Sequence, residues 1–297
     1  MSRIFNKLFT CPQWFIAYRK RKDFSIPFDR DDFQIIQPPP GKFYADPFTI
    51  KNEGKNYIFF EEFCFIKNKG YISVVEIDSD GNHTAPQVVL EQKYHLSYPF
   101  LFKLNHQIYM IPETSANDTI ELYSTKNFPY DWTLEKVMMT GVKANDTTIW
   151  FEDQKVWMFT NIVETGRPQY KDLFLFYAES IFDEWQSHPL NPIVSDIGSA
   201  RPAGNLFLHH GELIRPGQNS LLRYGNALVF NKIISMTQNN FSEQKMEQVN
   251  PNWYPENMSC HTYNFNEDLE VIDGEVMIKE FLKPCRRVAS LLYRLFD

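Results

Sequence analysis

The chain has 297 residues, of which 43% are hydrophobic and 16% aromatic, a composition too apolar for a disordered protein. Its formal net charge is −7, and an acidic body repels phosphates, so nucleic acid is not an expected partner. No apolar run approaches the roughly 20 residues that are needed to cross a bilayer. Abundant aromatic residues together with 18 prolines favour many short strands.

The chain begins with a basic segment, MSRIFNKLFTCPQWFIAYRKRK, which contains no acidic residue. Polar residues interrupt its apolar positions, so the continuous apolar stretch of a secretory signal is missing. The four cysteines, Cys11, Cys64, Cys260 and Cys285, are far apart and form no C-x-x-C pair, which indicates neither a zinc site nor a disulfide framework. We therefore expect a cytoplasmic protein with free thiols.

Five stretches of the chain share one layout, in which a polar residue opens a short apolar strand and a tight polar turn follows. The stretches contain the sequences YADPF, LSYPF, ANDTT, ARPAG and CHTYN, and the polar residues, here called the anchors, are Asp46, Tyr98, Asp146, Arg201 and His261. Successive anchors are 52, 48, 55 and 60 residues apart, which leaves room for four short strands in each unit. Five such units predict an all-β fold, a five-bladed β-propeller.

The predicted organisation has three parts. Residues 1–40 form a basic N-terminal segment whose stretch QWFIAYR closes the ring with the last blade, residues 41–277 form the propeller, and residues 278–297 form a basic tail. Two packed β-sandwiches are the alternative, but they do not explain a motif that occurs five times.

The tail is expected to form a short amphipathic helix after Pro284. Its apolar residues at helical spacing are Val288, Leu291, Leu292 and Leu295. A basic amphipathic end can contact an anionic membrane surface, which would place the protein at the inner face of the membrane. The alternative is that this helix packs on its own domain.

The anchors open the innermost strand of each blade, so in a propeller they converge on one end of the central channel. Two carboxylates, a guanidinium, an imidazole and a phenol cost several kcal/mol to bury unless they are paired. Such clusters more often form sites than scaffolds. The alternative is that single anchors, such as Asp46 before Pro47, cap turns.

The motifs YADPF, NDTTIW and DEWQSHPLNPI resemble those of five-bladed propeller glycosidases of the arabinanase and β-xylosidase type, which are family 43-like. The whole pattern, with LSYPFLF, IPET and ARPAG, more closely resembles the propeller domain at the N-terminus of plant glucosamine inositolphosphorylceramide transferases. This second resemblance covers roughly residues 40–275. Stand-alone relatives of that domain occur in surface-polysaccharide contexts.

The resemblance to the glycosidases implies that Asp46 is the general base and that Asp146 tunes and orients the acid. Where those enzymes have a fourth-blade glutamic acid, this chain has Arg201, and an arginine cannot donate a proton at neutral pH. Glu113 in IPET and Glu62 in FFEE are the substitute acids.

A second way to replace the missing acid is a donor with an anionic leaving group. Arg201 and Arg215 would stabilise that charge, while Asp46 deprotonates the acceptor hydroxyl. In both schemes we expect His261 and Tyr98 to contact the substrate. If Glu113 is the acid, Glu62 is expected to contact the substrate as well.

Three functions remain open at this point. The first is transfer of a glycosyl group, from a sugar or activated sugar donor to a glycan or lipid-linked acceptor, in cell-surface glycan or glycolipid biosynthesis. The second is glycoside hydrolysis, and the third is carbohydrate binding without catalysis. No motif demands a cofactor or a metal, and none is predicted, although some propeller glycosidases hold a cation in the channel.

Overall fold

The computed structural model describes residues 9–25, 28–29, 31–152 and 154–280. The described residues form five antiparallel sheets arranged as blades, which confirms the predicted five-bladed β-propeller. In chain order the strands are β1 (Thr10–Lys20), β2 (Gln34–Ile36), β3 (Lys42–Asn52), β4 (Lys55–Cys64), β5 (Lys69–Ile77), β6 (Gln87–Leu90), β7 (Ser97–Leu104), β8 (Gln107–Thr114), β9 (Thr119–Asn127), β10 (Tyr130–Thr140), β11 (Ala144–Glu152), β12 (Lys155–Ile162), β13 (Asp172–Ala178), β14 (Gln186–Ser187), β15 (Val194–Ser195), β16 (Phe207–His209), β17 (Glu212–Asn219), β18 (Ala227–Met236), β19 (Phe241–Val249), β20 (Tyr263–Phe265) and β21 (Leu269–Lys279).

The first four blades follow the chain: β3–β6, β7–β10, β11–β15 and β16–β19. The fifth blade has the order β2-β1-β21-β20, and β1 pairs with β21 along its whole length, from Thr10 opposite Lys279 to Lys20 opposite Leu269. Residues from both ends of the described chain therefore close the ring. The predicted C-terminal helix falls within residues 281–297, which lie outside the described residues.

Aromatic side chains fill the wedges between blades, because one four-stranded sheet cannot bury both of its faces alone. Between the first two blades, Phe48 meets Tyr98 edge-on at 4.8 Å, and Phe59 meets Trp132 at 5.9 Å. Phe48 and Phe59 are completely buried, and burying such a ring stabilises the fold by about 1.5–3 kcal/mol. No helix among the described residues is long and apolar enough to span a membrane.

Three anchors share an unusual backbone at the start of the innermost strands. Asp46, Tyr98 and Asp146 have φ values of 52°, 42° and 53°, and each lies within a break in the pairing register of its strand. A β-bulge of this kind inserts an extra residue and redirects its side chain. The repeat in the sequence thus corresponds to a repeated bulge at one end of the channel, here called the cavity face.

Candidate active site

A cavity of about 200 Å³ lies at the cavity face. Its polar lining comes from the first, second, fourth and fifth blades, and aromatic rings form much of the remaining wall. The lining residues are Trp14, Phe43, Ala45, Asp46, Glu61, Phe63, His95, Ser97, Glu113, Arg201, Tyr224 and His261. Four residues predicted from the sequence, Asp46, Glu113, Arg201 and His261, are therefore brought together.

Asp46 is held by the fifth blade. The Thr262 hydroxyl donates to Asp46 Oδ1 at 2.7 Å, and the Asp46 backbone N–H donates to Asp273 Oδ2 at 3.2 Å. Burial raises the pKa of Asp46 to about 6, while the nearby His261 charge opposes this shift. The hydrogen bond of this carboxylate to Thr262 uses Oδ1.

His261 forms an ion pair with Asp273 next to Asp46. Its Nδ1 lies 2.5 Å from Asp273 Oδ2 and 3.6 Å from Asp46 Oδ1, and its ring stacks on Trp14 with centroids 4.1 Å apart. Burial alone would lower the pKa of His261, but Asp273 and Asp46 together raise it to about 9. His261 is therefore an imidazolium at neutral pH.

The side chains of Asp46, His261 and Asp273 are also close enough to share a cation, since one ligand atom from each lies within 4.8 Å of the others. However, Asp273 Oδ1 already accepts the backbone N–H groups of His261 and Thr262 at 2.8 and 3.0 Å. A protonated imidazole has no lone pair for a metal. The arrangement fits a hydrogen-bonded ion pair better than a metal site.

Arg201 lies between three blades and binds two carboxyl groups. Its Nε and Nη2 donate to the two oxygens of Asp146 at 2.5 and 3.1 Å, and Nη2 lies 3.4 Å from Glu113 Oε2. The Gln218 amide adds a hydrogen bond of 2.8 Å to Asp146. The guanidinium is thus neutralised by bidentate pairing within the protein.

Two further carboxyl groups of the cavity have raised pKa values. Burial, followed by the charge of Asp146, raises the pKa of Glu113 well above its usual value, and burial with Asp46 does the same for Glu61. His95 accepts the Gly70 N–H at Nδ1, so its own proton resides on Nε2, 3.5 Å from Glu61 Oε1. The cavity therefore combines three carboxyl groups whose pKa values burial raises, and that of Asp46 is raised to about 6.

The prediction for Glu62 needs correction, because Glu61 lines the cavity in its place. Cross-strand partners share a face of the sheet, and Glu61 pairs with Ala45, whereas Glu62 pairs with Tyr44 on the opposite face. There Glu62 accepts hydrogen bonds from Tyr71 and Ser73 and pairs with Lys42.

Arg215 and Tyr98 also do not line the cavity. Arg215 donates to both oxygens of Glu243 at 2.8 and 2.6 Å, within its own blade. Tyr98 is completely buried, and its hydroxyl contacts Thr148 Oγ1 at 2.8 Å and accepts the Gly204 N–H at 2.7 Å. Tyr98 therefore joins the second blade to the third and fourth.

Several residues of the cavity and its support were not predicted from the sequence: Trp14, Glu61, His95, Tyr224, Thr262 and Asp273. The strand rule assigns Glu61 rather than Glu62 to the cavity only once the pairing of β4 with β3 is known. Trp14 had no such signal, because it reaches the site from the ring-closing strand β1.

The model of the family "Glucosamine inositolphosphorylceramide transferase 1, N-terminal" matches residues 35–258. The glucosamine inositolphosphorylceramide transferase 1 of Oryza sativa subsp. japonica is 32% identical over 208 residues, which is 69% of this chain and 28% of that protein. The chain thus spans just over a quarter of the length of this relative.

Solved structures share the fold at low sequence identity. A family 117 glycoside hydrolase of Zobellia galactanivorans has a TM-score of 0.55 at 11% identity, covering 91% of each chain. A GH62 α-L-arabinofuranosidase of Coprinopsis cinerea has a TM-score of 0.58 at 9% identity, covering 78% of this chain and 90% of its own. The fold is shared with these structures, and the match to the family model identifies the chain as a member of the family of glucosamine inositolphosphorylceramide transferase 1 N-terminal domains.

Proposed function

We propose that the chain is a carbohydrate-active enzyme that transfers a glycosyl group in cell-surface glycan or glycolipid biosynthesis, with Asp46 as general base. One observation carries this proposal: Asp46, with a pKa of about 6, and Glu113, with a raised pKa, line the same aromatic-walled cavity. A matched base and acid are what transfer between hydroxyl groups requires.

In the proposed step, the bond between the anomeric carbon and the leaving oxygen breaks, and that oxygen takes the proton of Glu113. The acceptor hydroxyl gives its proton to Asp46 Oδ2 as its oxygen bonds to the anomeric carbon. Thr262 holds Asp46 Oδ1 during this step. Exchange with solvent then returns the proton from Asp46 to Glu113.

The donor in this proposal is an uncharged glycoside rather than a sugar phosphate. The guanidinium of Arg201 is already bonded to Asp146 and lies beside Glu113, so it supplies little free positive charge. Asp46, together with the ion pair of His261 and Asp273, completes a site in which carboxyl groups outnumber cations. Aromatic rings such as Trp14 and Phe43 suit the apolar face of a sugar ring.

The name of a relative supports the biological setting. The rice relative is named a glucosamine inositolphosphorylceramide transferase, which favours a lipid-linked acceptor. We place the activity at the cytoplasmic face of the membrane.

The test is to incubate the purified full chain with a panel of aryl glycosides, with and without an added alcohol acceptor, and to identify the products. Asp46→Asn should lower the rate by at least about a hundredfold, as expected for a general base. Glu62→Gln is the matched control, since it alters a buried carboxyl outside the cavity, and a variant that remains folded should keep its activity. Full activity of Asp46→Asn would refute the mechanism.

Hydrolysis is the second candidate, and the raised pKa values of Glu113 and Glu61 favour it, since inverting hydrolysis needs a protonated acid opposite a base. Release of free sugar only, even with abundant acceptor, would assign hydrolysis. Sugar binding that survives Asp46→Asn, with no turnover of any glycoside, would instead assign a binding domain.

A further inference from the structure

The cavity has room for a small ligand only. Its volume of about 200 Å³ is below the roughly 300–1,000 Å³ of pockets that take drug-sized molecules. Behind the cavity, Tyr98 of the second blade reaches across the channel to Gly204 of the fourth, and a Cβ at Gly204 would lie 2.0 Å from the carbonyl oxygen of Tyr263 in the fifth. These contacts close the channel, so any part of a ligand beyond the first sugar ring has to leave through the mouth.

Two tyrosines from neighbouring blades lie side by side at this mouth. Tyr224, in the loop between β17 and β18, lines the cavity and is 37% exposed. Tyr170, in the loop between β12 and β13, is partly exposed, and its ring centroid lies 5.2 Å from that of Tyr224 at an interplanar angle of 41°. The two rings, here called the tyrosine pair, form one aromatic surface that begins in the cavity and continues along its rim.

The tyrosine pair is fixed by the residues against which it packs. The guanidinium carbon of Arg201 lies 5.3 Å from the centre of each tyrosine ring. Tyr224 also meets the ring of His261 edge-on at 5.3 Å, and a Cβ at the neighbouring Gly225 would lie 2.8 Å from that ring. Arg201 and His261 are themselves buried and ion-paired. The tyrosine pair is therefore a preformed surface, and such a surface binds a ligand with little ordering cost.

A second aromatic side chain lies on the opposite side of the mouth. Phe65 packs edge-on against Phe43 and Phe63, with centroids 5.7 and 5.5 Å apart. Phenylalanine offers only an apolar ring, whereas tyrosine adds a hydroxyl that forms hydrogen bonds. A sugar ring also combines an apolar face with hydroxyl groups, so the tyrosine pair matches it better than Phe65 does.

We infer that the tyrosine pair is a second ring-binding subsite, which holds the sugar ring joined to the one that reacts in the cavity. The smallest complete substrate is then a disaccharide or a glycoside whose aglycone is a ring. This inference rests on the proposed function in one respect, that the cavity receives a sugar.

The test is to measure binding of glycosides that share one sugar and differ in the group attached to it, a methyl group or a 4-nitrophenyl ring. The 4-nitrophenyl ring stands in for the second sugar ring. Isothermal titration calorimetry on the full chain with Asp46→Asn reads binding without turnover. The 4-nitrophenyl glycoside should bind about two- to tenfold more tightly than the methyl glycoside, as expected for one or two aromatic contacts.

The variant Tyr170→Ala, added to the same chain, should lower this preference and leave the affinity for the methyl glycoside unchanged, because Tyr170 lies outside the cavity lining. Adding Tyr224→Ala should remove the preference, whereas Tyr170→Phe, which keeps the ring, should retain most of it. Tyr254→Ala is the matched control, since Tyr254 is 36% exposed but packs on Phe15 and does not line the cavity. This control should keep the full preference.

Equal affinities for the methyl and 4-nitrophenyl glycosides, or a preference that the double alanine variant keeps, would overturn the inference. A preference lost in Phe65→Ala instead would overturn it by assigning the subsite to the first blade. A chain that binds no glycoside of the panel would refute the sugar cavity and the subsite together. The expected preference, with no turnover by the wild type, would refute the catalytic proposal alone and support the subsite.

Discussion

Replacing Arg201 by Met should destabilise the protein strongly. The side chains of Arg201 and Asp146 are only 10% and 1% exposed, so the substitution leaves the Asp146 carboxylate buried without its cation. Removing one partner of a buried ion pair costs about 3–5 kcal/mol. Folded proteins are stable by about 5–15 kcal/mol, so the loss is a large fraction of the total.

Urea unfolding, followed by the fluorescence of the tryptophans, measures this loss. The double variant Arg201→Met, Asp146→Asn is the control, because it replaces the unpaired carboxylate by a neutral amide. The oxygen of this amide can still accept the hydrogen bond that Gln218 donates. It should be more stable than Arg201→Met alone, and the coupling between the two positions should be about 0.5–3 kcal/mol.

A free energy of unfolding for Arg201→Met within about 0.5 kcal/mol of the wild type, the range of ordinary surface substitutions, would refute this reasoning. Arg201 would then be free to meet a charged donor, as the sequence alone allowed. A double variant no more stable than Arg201→Met would show that the cost arises from lost packing rather than from the unpaired charge.

His261→Gln should destabilise the protein at about pH 6 and much less at about pH 10. The pKa of His261 is about 9 in the folded protein, whereas it is 6.5 ordinarily. The charged imidazole therefore contributes about 3 kcal/mol to the free energy of unfolding. This contribution is fully present below pH 6.5 and is lost as the pH rises through 9, so an equal loss of stability at both pH values would contradict the reasoning. The pH profile of kcat/KM should rise near pH 6 as Asp46 loses its proton and fall at higher pH as Glu113 does, since both pKa values are raised. A rate that does not change between about pH 4 and 7 would exclude Asp46 as the base.

The repeat predicted the blade count because the same bulge recurs at the start of successive innermost strands. At Asp46, Tyr98 and Asp146 the left-handed backbone confirms that these anchors are structurally equivalent. Equivalence of backbone did not decide where each side chain points. The side chain of Tyr98 points into the interior, where its hydroxyl forms hydrogen bonds with Thr148 and Gly204. No pattern in the strand of Tyr98 could indicate these partners, which are distant in the sequence.

Other residues of the site could not be predicted because their position depends on which face of a strand points to the cavity, or on segments that are distant in the sequence. Whether Glu61 or Glu62 faces the cavity depends on the pairing of β4 with β3. The register of this pairing breaks beside Asp46, so the face that each glutamate occupies cannot be read from the sequence. Asp273 belongs to the second strand of the last blade, whose copy of the repeat is the most divergent. Its role emerges only because it accepts the N–H groups of Asp46 and His261 across two blades.

The backbone at Asp46 argues against a simple turn cap. A left-handed conformation costs a residue with a side chain roughly 1–2 kcal/mol, and glycine would adopt it without that cost. A capping aspartate accepts hydrogen bonds from its own turn, yet the hydroxyl bound to Asp46 Oδ1 comes from Thr262 in the fifth blade. The bulge therefore orients the carboxylate of Asp46, which lines the cavity, and a hydroxyl from another blade fixes one of its oxygens.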